Sequence, residues 1–482
     1  MSDERISAAL REATDTRQVV IEAGALGSVG QVFERAFGGR PAVVVADGNT
    51  FGVAGRQVLE RLRSAGLTLV DPHVFPAEPV LHADYQNVET LREALGRHAA
   101  VPVAVGSGVV NDLVKRASYE SGRGYMAVAT AASMDGYTAF GAAITKQGYK
   151  RTMTCPAPRA VVADLDVIAA APGRLTASGY GDLLGKVTAG ADWLVADALE
   201  IERIDDRVWS LVQGPLREAI GRPAELRAGE RAAVERLIEG LVMSGLAMQA
   251  HASSRPASGA EHQFSHLWEM EGLGVDRKPP LSHGFKVGVG SIAIAALYQR
   301  VLPRDLADLD VPSITGAWPT GAQVERAVRL AHTTAGLDDA AVAESLAKHV
   351  DTGTLAARLA LLAERWPDLR ERLEAHLLTA ERLREMLRAA GCPTGPSEIG
   401  LSSGALEATY SRSRMIRRRY TILDLAAETG ILDTCVAELF APGGFWDPDA
   451  SVPAGEYEGG RRVLGSGRLG PGRRGRGRAP GR

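Results

Sequence analysis

The chain has 482 residues, 45% of them hydrophobic and 23% charged, with a net charge of −3. That length exceeds one ordinary domain, and the composition is that of a globular protein with ample material for a core. Residues 461–482 hold eight arginines and no acidic side chain, so the body before them is distinctly acidic, which argues against a general nucleic-acid binder.

Cys155, Cys392 and Cys435 are far apart and odd in number, which argues against a disulfide framework or a cysteine-rich zinc site and fits a reducing compartment. The opening MSDERISAALREATD has no signal-peptide apolar core, and no run of about 18 apolar residues occurs. The expectation is a soluble, cytoplasmic protein without a membrane span.

Between residues 17 and 170, short apolar runs at 19–21, 42–46, 67–70, 101–105, 126–129 and 161–163 alternate with amphipathic stretches such as 53–65 and 85–98. Continuous Val-rich runs of this length read as buried parallel strands with helices on both faces. After Pro172 the β-branched clusters give way to Ala-, Leu-, Glu- and Arg-rich stretches at 232–248, 322–331, 342–349 and 355–390, whose three-to-four-residue apolar spacing is helical.

The predicted organisation is α/β plus all-α. A Rossmann-like dinucleotide-binding domain spans 1–171, a helical metal- and substrate-binding domain 172–446, and a Gly/Arg/Pro-rich tail 447–482 that cannot bury enough apolar surface to order itself.

Three strand ends carry polar residues. The run 101–105 leads into Gly106-Ser107-Gly108 and then the helical VVNDLVKRASYE. Glycines at such a turn let a pyrophosphate approach the backbone at a helix N-terminus, although the spacing is not GxGxxG. Asn111 and Asp112 in that first turn also read as ordinary capping residues.

The run 126–129 ends in TAASMDG, which is either a ligand-crevice loop or a plain Asp-Gly turn. The run 42–46 ends in Asp47, placed to accept from an adenosine ribose hydroxyl. Together they favour a nucleotide site on one sheet edge.

Further on, SGAEHQFSHLWEM sets His262 and His266 four apart, on one face of a helix. His283 follows within LSHG, and upstream Asp182 lies in YGDLLGK. One Asp and two His make a three-ligand site with open positions. The pattern is not HExxH, so no zincin protease is indicated. Lys146, Lys150, Arg151 and Lys186 are the candidate cations for an anionic substrate, and Lys186 shares a helix face with Asp182.

The segments VGSGVVNDLVKRASY, VATAASMDGYTAFGAAITKQGYKRTMTCPAPRAVVADLDV, TASGYGDLLGKVTAGADW, SGAEHQFSHLWEM and LSHGFKVGVG together resemble the sn-glycerol-1-phosphate dehydrogenases, especially their bacterial branch. That family stands within the superfamily of iron-type alcohol dehydrogenases, glycerol dehydrogenases and dehydroquinate synthases. The resemblance implies reversible reduction of dihydroxyacetone phosphate to sn-glycerol 1-phosphate by NAD(H) or NADP(H) with one divalent metal, zinc or nickel before iron.

It further implies that Asp182, His262 and His283 are the metal ligands and that Asp135, Asp182, His266 and Lys186 face substrate. Asp47, Gly106, Ser107, Gly108, Asn111, Asp112, Thr130, Ser133 and Thr138 would line the cofactor. A homodimer or larger assembly is expected.

Two departures, Gly48 after Asp47 and Ala139 where a hydroxyl is common, leave NAD versus NADP open. A dehydroquinate-synthase-like lyase is the competing reading, disfavoured because EHQFSHLWE replaces that branch's GHTxGHAIE-like signature. A dehydrogenase of glycerol or another polyol is a second.

Overall fold

The computed structural model describes residues 2–146, 149–334 and 336–447, the side chains of 2, 3 and 149–151 excepted. The expected tail, 447–482, lies outside the described residues but for Asp447.

Six strands form a parallel sheet: β1 (Gln18–Glu22), β2 (Ala42–Asp47), β3 (His73–Phe75), β4 (Val101–Gly106), β5 (Met126–Ala129) and β8 (Ala160–Asp164), in the order β1-β8-β5-β4-β2-β3. The register is regular, with Val103 of β4 opposite Met126 of β5. Why β2 is continuously apolar is visible in its packing. Ala42, Val44 and Ala46 enter the core on one face with Val29, Phe33 and Leu62, while Val43 and Val45 enter the other with Leu91, Leu95 and Leu113. A strand covered on both sides has no polar face to show.

The sheet departs from expectation at two places. Residues 67–70 are not a strand. The Thr68 carbonyl and Val70 N–H pair with Ala42, but Pro72 has no N–H to continue the ladder, and regular pairing resumes at His73. A hairpin of β6 (Ala142–Lys146) and β7 (Tyr149–Met153) also stands apart as an antiparallel pair.

The helices that matter for the site are α1 (Ser2–Glu12), α2 (Gly108–Glu120), α3 (Gly173–Leu184), α4 (Lys186–Ala198), α5 (Arg231–His251), α6 (Ala260–Met270) and α7 (His283–Val301). Beyond β8 every further regular element among the described residues is helical. The apolar run 355–390 is two helices, Thr352–His376 and Ala380–Ala389, because Thr379 caps the second by accepting from the Arg382 N–H. α7 is buried along most of its length and apolar nearly all round, as a central helix must be. Ile6 and Ala9 of α1 join the same helical core. No helix among the described residues is long and apolar enough to cross a membrane.

Two glycines set how closely the layers meet. A Cβ on Gly284 of α7 would fall 1.8 Å from the Ser178 carbonyl oxygen of α3, and one on Gly179 would fall 2.0 Å from the Ala132 carbonyl oxygen in the loop after β5. Backbone therefore lies on backbone where the helical body meets the sheet, a spacing no larger residue permits.

Candidate functional site

Asp182 stands in the last turns of α3, His262 in the first turn of α6, and His283 begins α7 behind the cap Ser282, whose hydroxyl accepts from the Phe285 N–H. The crossing of α3 and α7 at Gly284 brings these helices together. One ligand atom from each of Asp182, His262 and His283 lies within 4.8 Å of the others. His262 Nε2 is 3.5 Å from Asp182 Oδ1.

Each imidazole is held from behind by a glutamate. His262 Nδ1 donates to Glu261 Oε1 at 2.7 Å, and His283 Nδ1 to Glu269 Oε1 at 3.0 Å. With Nδ1 carrying the hydrogen, Nε2 of each ring keeps its lone pair for the shared space, the arrangement by which outer carboxylates orient metal-ligating histidines. Glu261 is itself fixed, accepting from the Gly259 N–H (2.7 Å) and Thr188 Oγ1 (2.9 Å).

Electrostatics point the same way. Burial pushes the Asp182 carboxyl up, but Lys186 and the hydrogen bond with His262 outweigh it and hold the group well below the usual carboxylate range. Burial and Lys186 push His262 down, yet hydrogen bonds to Asp182 and Glu261 keep it above the ordinary histidine value. The pocket thus favours positive charge between these side chains. One carboxylate and two oriented imidazoles suit zinc, nickel or ferrous iron.

The loop after β5 reaches this cluster directly. The Asp135 N–H donates to Asp182 Oδ2 at 3.0 Å, and Lys186 Nζ lies 2.8 Å from both Asp135 Oδ2 and Asp182 Oδ1. Ser244 of α5 donates to the same Asp135 oxygen at 2.9 Å. Lys186 has no exposed surface, so its charge is spent on the two carboxylates. His266 sits 5.9 Å, ring centre to ring centre, from both His262 and His283. Burial and the charge of Arg417 hold its pKa well below the usual value, so it is neutral at physiological pH.

On the sheet side, the carboxyl ends of β2, β4 and β5 lie along one edge, and the strand order reverses between β2 and β4, the usual ligand crevice of open α/β sheets. Gly106, Ser107 and Gly108 form the turn into α2, whose first N–H groups face that edge. Asp47 is at the end of β2, where it caps the next turn by accepting from the Asn49 and Thr50 N–H groups at 2.8 Å. Thr130 extends the ladder, donating to the Gly106 carbonyl at 3.2 Å, and the Ser133 carbonyl accepts from Ser178 at 3.1 Å.

Three of the expected cofactor residues spend their side chains on the scaffold. Asn111 donates to the Gly136 carbonyl (3.2 Å) and accepts from Tyr125 (3.0 Å). Asp112 accepts from the Ala143 N–H (3.2 Å). Thr138 is fully buried and donates to the Val242 carbonyl (2.8 Å). Lys146 lies 3.8 Å over the Tyr85 ring, and the side chains of Lys150 and Arg151 lie outside the described residues.

Sequence reasoning missed Glu261, Glu269 and Lys115. Lys115 is buried in α2 and donates to the carbonyls of Gly136 (2.9 Å), Ala139 (2.7 Å) and Gly141 (3.0 Å), gathering the loop that carries Asp135. A signal existed: Asn111 and Lys115, four apart, put polar groups on one face of the helix, beside the apolar Val110, Val114 and Ala117.

The family model for iron-containing alcohol dehydrogenases matches residues 20–172. The glycerol-1-phosphate dehydrogenase (NAD(P)+) of Halalkalibacterium halodurans is 38% identical over 259 residues, which cover 53% of this chain and 64% of the relative. That of Geobacillus thermodenitrificans is 30% identical over 387 residues, covering 80% of this chain and 86% of the relative. The crystal structure of a probable glycerol dehydrogenase from Sinorhizobium meliloti 1021 shares the fold, with a TM-score of 0.56 at 16% identity over 88% of this chain and 98% of that one.

Proposed function

The chain belongs to the glycerol-1-phosphate dehydrogenase family, within the iron-containing alcohol dehydrogenase superfamily, and from that premise we propose that it interconverts dihydroxyacetone phosphate and sn-glycerol 1-phosphate. In the reducing direction a hydride from NADH or NADPH and a proton from solvent become the C–H and O–H of the new alcohol.

One observation carries the reading. The Asp182–His262–His283 cluster is in hydrogen-bond contact, through the Asp135 N–H, with a loop that springs from the nucleotide edge of the sheet. A ketone held there has a cation site on one side and the nicotinamide side of the crevice on the other.

When bound, a divalent cation held by Asp182, His262 and His283 supplies Lewis acidity toward the ketone oxygen, and the reduced nicotinamide supplies the hydride. The chain does the rest. Glu261 and Glu269 fix the nitrogen that each imidazole presents. Lys186 pairs with Asp182 and Asp135, each at 2.8 Å, and holds both carboxylates at fixed positions. Asp135 accepts a hydrogen bond from the substrate's hydroxyl, and the neutral His266 relays a solvent proton to the ketone oxygen, taking one at one ring nitrogen as it gives one from the other. The Gly106–Gly108 turn holds pyrophosphate by its N–H groups, and Lys115 keeps the Asp135 loop from collapsing into the crevice.

Elemental analysis of the purified protein, run beside an NADH- and NADPH-oxidation assay with dihydroxyacetone phosphate, tests this. One tightly held divalent ion per chain and ketone-dependent oxidation are expected. A metal-free protein with full activity would overturn the mechanism.

A further inference from the structure

The phosphate of a three-carbon phosphoketone is joined to its carbonyl carbon through one carbon and one oxygen, so its charge must lie beside the cluster that takes the ketone oxygen. Yet Lys186, the expected cation nearest that cluster, is closed off between Asp135 and Asp182, and Lys146 is occupied by the Tyr85 ring.

Another cation stands there. Arg417 follows the short turn Arg414–Ile416 in extended conformation (φ −146°, ψ 143°). The stretch runs along α6. At one end the Arg419 carbonyl accepts from Gln263 Nε2 at 3.2 Å, and its guanidinium donates to the Ser258 carbonyl and Ser254 hydroxyl, both at 2.7 Å. At the other end Ile416 packs in one apolar cluster with Leu267 and Met270. Arg417 is thereby bracketed against α6 between Gln263 and Leu267, at the level of His266.

Its neighbours are all committed. Arg418 pairs with Glu344 at 2.9 Å, Arg414 lies 3.5 Å from Asp424, and Arg419 binds the start of α6. Arg417 is half-buried and, among the described residues, has no hydrogen-bond or ion-pair partner. Its charge already bears on His266, which lies 5.9 Å from the rings of His262 and His283. Glu344, a carboxylate that its charge reaches, is already bound by Arg418, so this half-buried guanidinium keeps its donors open for an oxyanion, and its fork suits a phosphate better than any lysine.

We infer that Arg417 is the residue that binds the substrate's phosphate and so sets the preference for a phosphorylated over a free ketone. The inference rests on the proposed reduction of a phosphoketone. His266 and Arg417 then divide the substrate, one at the carbon skeleton and one at the anion.

The experiment compares metal-loaded wild type, Arg417→Ala, Arg417→Gln and Arg417→Lys on dihydroxyacetone phosphate and on dihydroxyacetone. Thermal melting and NADH affinity serve as folding controls. Loss of a charge-assisted pair predicts a KM for the phosphorylated ketone raised about 100-fold in the Ala and Gln variants, with a far smaller change on the free ketone, confined to the effect of the lost charge on His266. Arg417→Lys should recover part of the discrimination. Equal losses on both ketones, or an unchanged KM for the phosphorylated one, would overturn the inference.

If wild type does not reduce dihydroxyacetone phosphate at all, the proposed function fails, and the anion site is judged separately by calorimetric titration with inorganic phosphate. Binding to wild type that is lost in Arg417→Ala keeps the site; equal binding, or none to wild type, removes it.

Discussion

Glu261 and Glu269 illustrate how little of the proposed metal site its candidate ligands explain. An imidazole has two nitrogens, and the carboxylate on Nδ1 decides that Nε2 faces the space shared with Asp182. Replacing Glu269 by Gln keeps the shape but removes the charge behind His283. Metal affinity, measured by competition with a chelating dye, should fall by about 10- to 100-fold, with the fold intact. His262→Ala or His283→Ala removes a ligand outright, and both metal content and ketone-dependent NADH oxidation should vanish together. Retained activity in either variant would refute the proposed ligand set.

At the scale of elements, the site depends on where helices cross. Gly284→Ala places a methyl against the Ser178 carbonyl, where only 1.8 Å is free, so α3 and α7 must part. The expected result is destabilisation of about 1–3 kcal/mol in a denaturant titration, accompanied by weaker metal binding. A change in stability alone, with metal affinity untouched, would separate the crossing from the site.

Lys115→Met strips the ammonium from the three carbonyls it gathers, those of Gly136, Ala139 and Gly141, and should cost ~3 kcal/mol. It should also loosen the Asp135 loop enough to raise the KM for the ketone. The strands that the sequence reveals are those buried on both faces, because a run such as 101–105 has one reading. The segment 67–70 looks the same but loses its ladder to Pro72, whose effect depends on register. The β6–β7 hairpin is hard to see in the sequence because its alternation is short. That Asp182, His262 and His283 converge is suggested by residue type and by resemblance to a family, since 80 residues separate the first two. Glu261, Glu269 and Arg417 are not legible there: a charged side chain reads as a solvated face until the tertiary neighbours are known.

For the molecule as a whole, buried histidines set a lower pH limit. Burial pushes His376 down to about 4, with its Nε2 donating to the Val187 carbonyl at 3.0 Å. The unfolded chain, in which this ring titrates near 6.5, binds the proton first. Its contribution is therefore complete above about pH 6.5 and is lost as pH falls toward 4. Melting temperatures measured between pH 7.5 and 4.5 should fall with acid, and His376→Gln, which retains a donor for Val187, should flatten that slope. An unchanged slope would assign the acid sensitivity to other groups.

Because α3 meets α7 backbone to backbone, the main chain beneath Asp182 and His283 is held at a set separation and behaves like the jaws of a fixed caliper. Ions ought then to be graded by radius as well as by chemistry: substituting a wide cation for a compact one would demand that two packed helices slide, a penalty that grows with ionic size whatever the donors prefer.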